Sequence, residues 1–177
     1  MNNNIVMRTK SSIEGLINLC RWINHFIPTN TMRMIEIGSF AGDSTEIFCK
    51  WFKHVIAIDP WKSNVGDITS SCDMNVIYDR FCKKMAKYPN LNVIKCFSYE
   101  IVNNFQDGFF DFIYIDGSHQ YFNVLRDISL YRHKVKKGGY LGGHDYRAKF
   151  AGVVKAVKEQ FGKPIKIFKD TSWIVKI

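Results

Sequence analysis

Apolar positions along the chain alternate between two periods. Ile13, Leu16, Ile17, Cys20, Trp22, Ile23 and Phe26 recur at the spacing of one helix face and stop before Pro28. Met32–Ile37 is then a short apolar run ended by glycine, which reads as a buried strand. The same alternation continues with a helix over 43–52, a strand over 55–58 closing on Asp59-Pro60, a helix over 73–87 and a strand over 91–96. A short helix over 99–104, the strongly apolar strand Phe110–Ile115, a helix over 119–135 and a strand over 140–142 follow. A last helix over 150–161 precedes two strands, 165–168 and 173–177, whose tight connection permits only an antiparallel pair. Strands that alternate with helices and are apolar on both faces predict an α/β fold: a Rossmann-like, seven-stranded, mostly parallel sheet with helices on both faces and a C-terminal antiparallel hairpin.

A length of 177 residues suits one domain, with a helical segment over 1–28 ahead of the first strand and a lid expected over 61–72. The 46% hydrophobic share, with 14 Phe, 8 Tyr and 4 Trp, excludes a disordered chain and a miniprotein held by disulfides. No apolar run approaches the ~20 residues of a membrane span, and Met1–Lys10 lacks the pattern of a secretion signal. Five scattered cysteines without a CxxC pair predict free thiols in a reducing cytoplasm and no membrane partner. The net charge of +9 attracts anions, but it is spread along the chain on helix surfaces, where solvated charge is the usual explanation.

In open sheets of this kind ligands bind at the carboxyl ends of the strands, where the strand order reverses. The residues there are Glu36-Ile37-Gly38-Ser39-Phe40-Ala41-Gly42, Asp59-Pro60-Trp61, Phe97-Ser98-Tyr99, Asp116-Gly117-Ser118-His119 and Gly142-Gly143-His144-Asp145-Tyr146. The first loop fails the phosphate-loop pattern, because its glycines are one position too close and no lysine follows. It fails the dinucleotide fingerprint as well, because Phe40 stands where the second glycine belongs. A glycine bend, an acid after the next strand for ribose hydroxyls and no phosphate device together outline a nucleoside without phosphates.

These motifs, E-I-G-x-x-x-G-x-S, I-D-P-W, D-F-x-Y-I-D-G-x-H-x-Y and G-G-x-x-G-G-H-D-Y, run in order from Met34 to Tyr146. The chain therefore resembles the class I S-adenosylmethionine-dependent methyltransferases. The resemblance implies that Glu36, Gly38, Ser39 and Gly42 line the methionine and ribose part of S-adenosylmethionine, that Asp59 holds the ribose, and that Trp61, Ser98 and Tyr99 lie near the adenine. Plainer readings compete: Gly38 and Gly42 as turn residues, Trp61 and Tyr99 as packing aromatics, Asp145 as a turn cap.

Amino-directed nucleic-acid methyltransferases of this class carry an Asn/Asp-Pro-Pro-aromatic motif after the fourth strand, where this chain has Asp116-Gly117-Ser118-His119. That favours an oxygen acceptor on a small or sugar-like molecule. A nucleic-acid methyltransferase and a non-catalytic S-adenosylmethionine-binding protein are the alternatives, and a homo-oligomer is compatible with either. Asp116 and Asp145 follow neighbouring strands and are placed to share a hard cation such as Mg2+, as related oxygen methyltransferases do. His144 beside them suits a transition metal or zinc better. Asp116 and His119 are the expected catalytic residues, His119 as general base because imidazole titrates near neutral pH. Asp59→Ala is expected to weaken cofactor binding while sparing the fold.

Overall fold

The computed structural model describes residues 8–63 and 72–177. Within them, β1 (Arg33–Ile37), β2 (His54–Ile58), β3 (Leu91–Ile94), β4 (Phe110–Ile115), β5 (Val135–Gly143), β6 (Lys166–Ile167) and β7 (Trp173–Lys176) form one sheet in the order β3-β2-β1-β4-β5-β7-β6. β1 to β5 are parallel, and β7 runs antiparallel to both β5 and β6. The order reverses between β1 and β4, so their carboxyl ends diverge into a crevice. Most of the lid expected over 61–72 lies outside the described residues.

Among the described residues, α1 (Lys10–Phe26) precedes β1, and α2 (Asp43–Trp51), α3 (Met74–Met85), α4 (Ser98–Ile101), α5 (Tyr121–Tyr131) and α6 (Ala151–Phe161) lie between strands. Each strand residue faces the opposite side from its neighbour, and the two sides have separate cores. Met34, Phe112, Tyr114 and Ile174 pack with Leu16, Leu19, Ile23 and Phe48 of α1 and α2. Ile35, Ile113, Ile115 and Val175 pack with Val124, Ile128, Val153 and Val157 of α5 and α6. Leu16, Leu19 and Ile23 are completely buried. At about 1.5–3 kcal/mol for each such side chain, they fix α1 firmly on the sheet. None of the described helices is long and apolar enough to cross a membrane.

Two boundaries differ from expectation. The helix expected to reach residue 135 ends at Tyr131 and tightens into a single turn, Arg132–Lys134. β5 starts at Val135, not Tyr140, because Val135 pairs with Phe110 of β4 before the ladder resumes at Tyr140 with Phe112; residues 136–139 bulge between these pairs, and Gly138 and Gly139 bond instead with the backbone of Ile177. The register shift between Phe110 and Phe112 absorbs the mismatch, which puts Phe110 on the same side as Ile113.

Candidate functional site

A cleft of about 590 Å³ opens over the carboxyl ends of the strands. Its floor is the β1–α2 loop. Gly38 has φ +87°, and its N–H donates to Ile58 O at 2.8 Å while Asp116 N–H donates to Ile37 O at 2.7 Å, so the ends of β1, β2 and β4 are laced together there. Asp59 organises the same loop. Its Oδ2 accepts the backbone N–H groups of Ser39 and Phe40, both at 2.9 Å, and its Oδ1 accepts that of Trp61 at 2.7 Å. Burial raises the Asp59 pKa, and these three N–H groups oppose the shift. Asp59 does face the cleft, but its carboxylate also holds the loop's shape, so Asp59→Ala disturbs the fold as well as the cleft.

Gly38, Ser39, Asp59, Ser98 and Tyr99 line the cleft, as do Asp116, His119, His144 and Asp145. Three expected cofactor residues do not. Glu36 shares its side of β1 with Met34 and so points under the loop toward α2, where it accepts hydrogen bonds from the hydroxyls of Ser39 and Thr45. Gly42 is the left-handed N-cap of α2, backed by Phe81 and Met85 of α3. Trp61 is buried behind the loop, donating from Nε1 to Phe40 O at 2.9 Å and packing on Tyr78 and Phe81 with ring centroids 4.8 Å away. Gly42 thus stands at a turn and Trp61 in the packed core, both outside the cleft lining.

Burial pushes the Glu36 carboxyl up from 4.5 to about 7, against the lowering effect of the Ser44, Thr45 and Ser39 hydroxyls. A raised acid pKa means that the folded state holds its proton longer than the unfolded chain does. The associated stability is therefore complete below pH 4.5 and is lost as pH rises through about 7. At about 1.4 kcal/mol per pKa unit, Glu36→Gln is expected to be up to about 3 kcal/mol more stable than wild type at pH 8 and nearly equal at pH 4.5. Urea melts of both proteins at the two pH values check this.

The third-strand side of the cleft is aromatic. Phe97 and Tyr99 stack with centroids 5.3 Å apart, and the Arg126 guanidinium lies 4.2 Å from the Tyr99 centroid. Ser98 donates to Asp127 Oδ1 at 2.6 Å, and burial pushes Asp127 up to about 6. Asp127 also lines the cleft and was missed, although an acid on the apolar face of α5 between Val124, Ile128 and Tyr131 was a visible signal.

On the other side stands a cluster of acids and imidazoles. His119 Nε2 lies 2.7 Å from Asp145 Oδ2, with its ring stacked 4.3 Å from that of Phe150. His144 Nδ1 is 3.2 Å from Asp145 Oδ2 and 3.7 Å from Asp116 Oδ1. Burial opposes charge on His144, but Asp116 and the hydrogen bond to Asp145 outweigh it and raise its pKa. Burial likewise disfavours the Asp145 carboxylate, and the two imidazoles reverse this and hold its pKa below the ordinary range. Asp145 adopts φ +61°, a conformation that aspartate tolerates better than most residues.

Arg8, which no motif marked, completes the cluster: its Nη2 donates to Asp116 Oδ2, and its backbone N–H donates to Asp43 Oδ2 at 2.9 Å. Asp116, His144 and Asp145 offer ligand atoms within 4.8 Å of one another, a set whose chemistry suits a transition metal. One oxygen of each carboxylate is engaged, Asp116 Oδ2 by Arg8 and Asp145 Oδ2 by His119. With Arg8 docked, a guanidinium already lies on the carboxylate a metal would need, so the cluster fits a metal poorly.

The sheet order β3-β2-β1-β4-β5-β7-β6 with an antiparallel β7, and a glycine bend and an acid at its switch point, is that of the Rossmann-like class I methyltransferases. The chain belongs to the methyltransferase-domain family, whose model matches residues 35–146. Protein R132 of Acanthamoeba polyphaga mimivirus is 32% identical over 120 residues, covering 64% of this chain and 51% of that protein. The chain thus spans about half the length of this curated relative. Among solved structures, the O-methyltransferase NovP superposes with a TM-score of 0.67 at 13% identity, covering 94% of this chain and 79% of its own. Cofactor-bound Rv0187 from MTB superposes with a TM-score of 0.65 at 12% identity, covering 98% and 82%. At these identities the two structures share the fold.

Proposed function

We propose that the protein transfers a methyl group from S-adenosylmethionine to an oxygen of a small or sugar-like acceptor. The observation that carries this reading is the division of the cleft: a phosphate-free loop and an aromatic pair on one side, an acid–imidazole cluster on the other. Gly38, Ser39 and Asp59 hold the cofactor's amino acid and ribose, and Ser98, Tyr99 and Phe97 flank its adenine. When bound, the cofactor supplies a methyl carbon on a sulfonium that is displaced in line, leaving a thioether. The chain's residues must align the acceptor and take its proton. His119, held by Asp145, receives the proton as the acceptor oxygen forms its bond to carbon, and Asp116 orients the acceptor through the cluster.

The divalent metal expected at Asp116, His144 and Asp145 has no step in this reading, because Arg8 already brings a positive charge to Asp116. O-methyltransferases among the structural neighbours support an oxygen acceptor. The basic clusters give the nucleic-acid alternative little support, because several of their lysines are spent locally: Lys84 on Asp43 at 2.7 Å, Lys87 on Glu46 at 3.2 Å, Lys134 on Asp107 and Lys136 on Asp111. Calorimetry with S-adenosylhomocysteine tests the reading. One site per chain is expected, with no heat from ATP or NAD, and absence of S-adenosylhomocysteine binding overturns it.

A further inference from the structure

We infer that Arg8 is a built-in cation for the acceptor half of the cleft, taking the Asp116 carboxylate in place of a divalent metal and making the site metal-independent. The inference rests on the methyltransferase reading for its purpose, but on the geometry of Arg8 for its content. Arg8 is the residue before Thr9, whose Oγ1 caps α1 by accepting the Ser12 N–H at 3.2 Å. The helix behind it is anchored by fully buried Leu16, Leu19 and Ile23, and the Arg8 backbone is tied to Asp43. The guanidinium is therefore delivered to the cleft by a fixed element.

Arg8 and Asp116 have side chains only 15% and 14% exposed, so their pairing is poorly screened by solvent. Three carboxylates, Asp116, Asp145 and Asp170, whose Oδ2 is 3.9 Å from His144 Nε2, face Arg8, His144, His119 and the outlying Arg147, whose Nη2 is 3.5 Å from Asp145 Oδ1. A divalent ion on Asp116 would sit beside the guanidinium and share that carboxylate with it, bringing like charges together in a poorly screened place. Arg8 also has a second, unspent nitrogen. Nη1 is buried and lacks a hydrogen-bond partner among the described residues. Buried polar groups are nearly always satisfied, and Arg8 lines the cleft, so the missing partner is an oxygen that arrives with the acceptor. A fixed positive charge beside that oxygen favours its deprotonated form, which is the service a metal would provide.

The test is Mn2+ binding, followed by the loss of the free-ion electron paramagnetic resonance signal, in wild type, Arg8→Ala and the stem-preserving Arg8→Gln. Wild type is expected to leave the signal unchanged. The variants are expected to bind one Mn2+ at least tenfold more tightly, and Asp116→Asn added to either should remove the gain. Wild type binding Mn2+ as tightly as the variants overturns the inference, and so do variants that bind none while circular dichroism shows them folded. Should neither variant fold, wild type alone decides: a bound Mn2+ that Asp116→Asn abolishes refutes the inference, and an unchanged signal upholds it. S-adenosylhomocysteine calorimetry on the same samples separates the two levels. Its failure in wild type removes the methyltransferase reading without altering the Mn2+ comparison.

Discussion

Gly38→Ala is expected to lower stability by about 3–5 kcal/mol and to abolish S-adenosylhomocysteine binding. Two penalties add. The backbone conformation, φ +87°, costs an L-residue roughly 1–2 kcal/mol. The new methyl carbon would sit 2.4 Å from Asp116 O and 2.5 Å from Gly117 Cα, both backbone atoms that no side-chain rotation can move. Relief requires parting the ends of β1 and β4, which are the floor of the cleft. A fall of about 10 °C in Tm is the corresponding scale for a chain of this size. Gly42→Ala is the control. It carries a similar backbone penalty at φ +82°, but its added carbon meets only the side chains of Phe81 and Met85, at 3.0 to 3.3 Å. It should lose less stability and keep measurable binding. Equal losses in the two variants would show that backbone conformation, not the β1–β4 contact, sets the requirement.

Asp59→Ala is expected to lose about 2–4 kcal/mol, because the backbone N–H groups of Ser39, Phe40 and Trp61 are all left without their acceptor in a buried place. Cofactor affinity should fall more than tenfold, through the lost carboxylate and the loosened loop together. Asp59→Asn separates these contributions. Its one carbonyl oxygen can still accept from Ser39 and Phe40, while its amide group meets the Trp61 N–H as a second donor. It should retain roughly half the stability lost by alanine and still bind poorly if the charge matters to the ribose. Thermal melts and S-adenosylhomocysteine calorimetry on both variants provide the measurements. An alanine variant with wild-type Tm would mean that water or another group replaces the carboxylate in the loop.

The sheet was legible because its central strands are apolar on both faces and the connections between them carry helical spacing. The hidden start of β5 shows the limit: Lys136-Lys137-Gly138-Gly139 has no strand preference of its own and is held in the strand by the flanking Val135 and Tyr140 pairs with β4 and by bonds to distant Ile177. The cleft lining was legible where a place at a strand end decides it, as for Gly38, Ser39, Asp59, Asp116 and His144. It was not legible where the direction of a side chain decides. A strand buried on both sides carries no polar face to mark orientation, so nothing local says that Glu36 points beneath the loop. The φ of +44° at Trp61, which accompanies its turn into the core, is equally invisible. Arg8 is the extreme case, since it reaches Asp116 across 108 positions and no short-range pattern encodes that meeting.

The placement of β7 between β5 and β6 bears on how the chain is made. β6 is synthesised first, yet among the described residues its only hydrogen-bonded neighbour in the sheet is β7. It can join only as half of a preformed hairpin or after β7 has docked. Until Trp173–Lys176 emerges from the ribosome, β5 presents an open row of backbone donors and acceptors along Tyr140–Gly143. Nascent or truncated chains that stop short of this segment therefore carry a template for strand-to-strand aggregation, which expression of a fragment ending near residue 170 would expose as insoluble product.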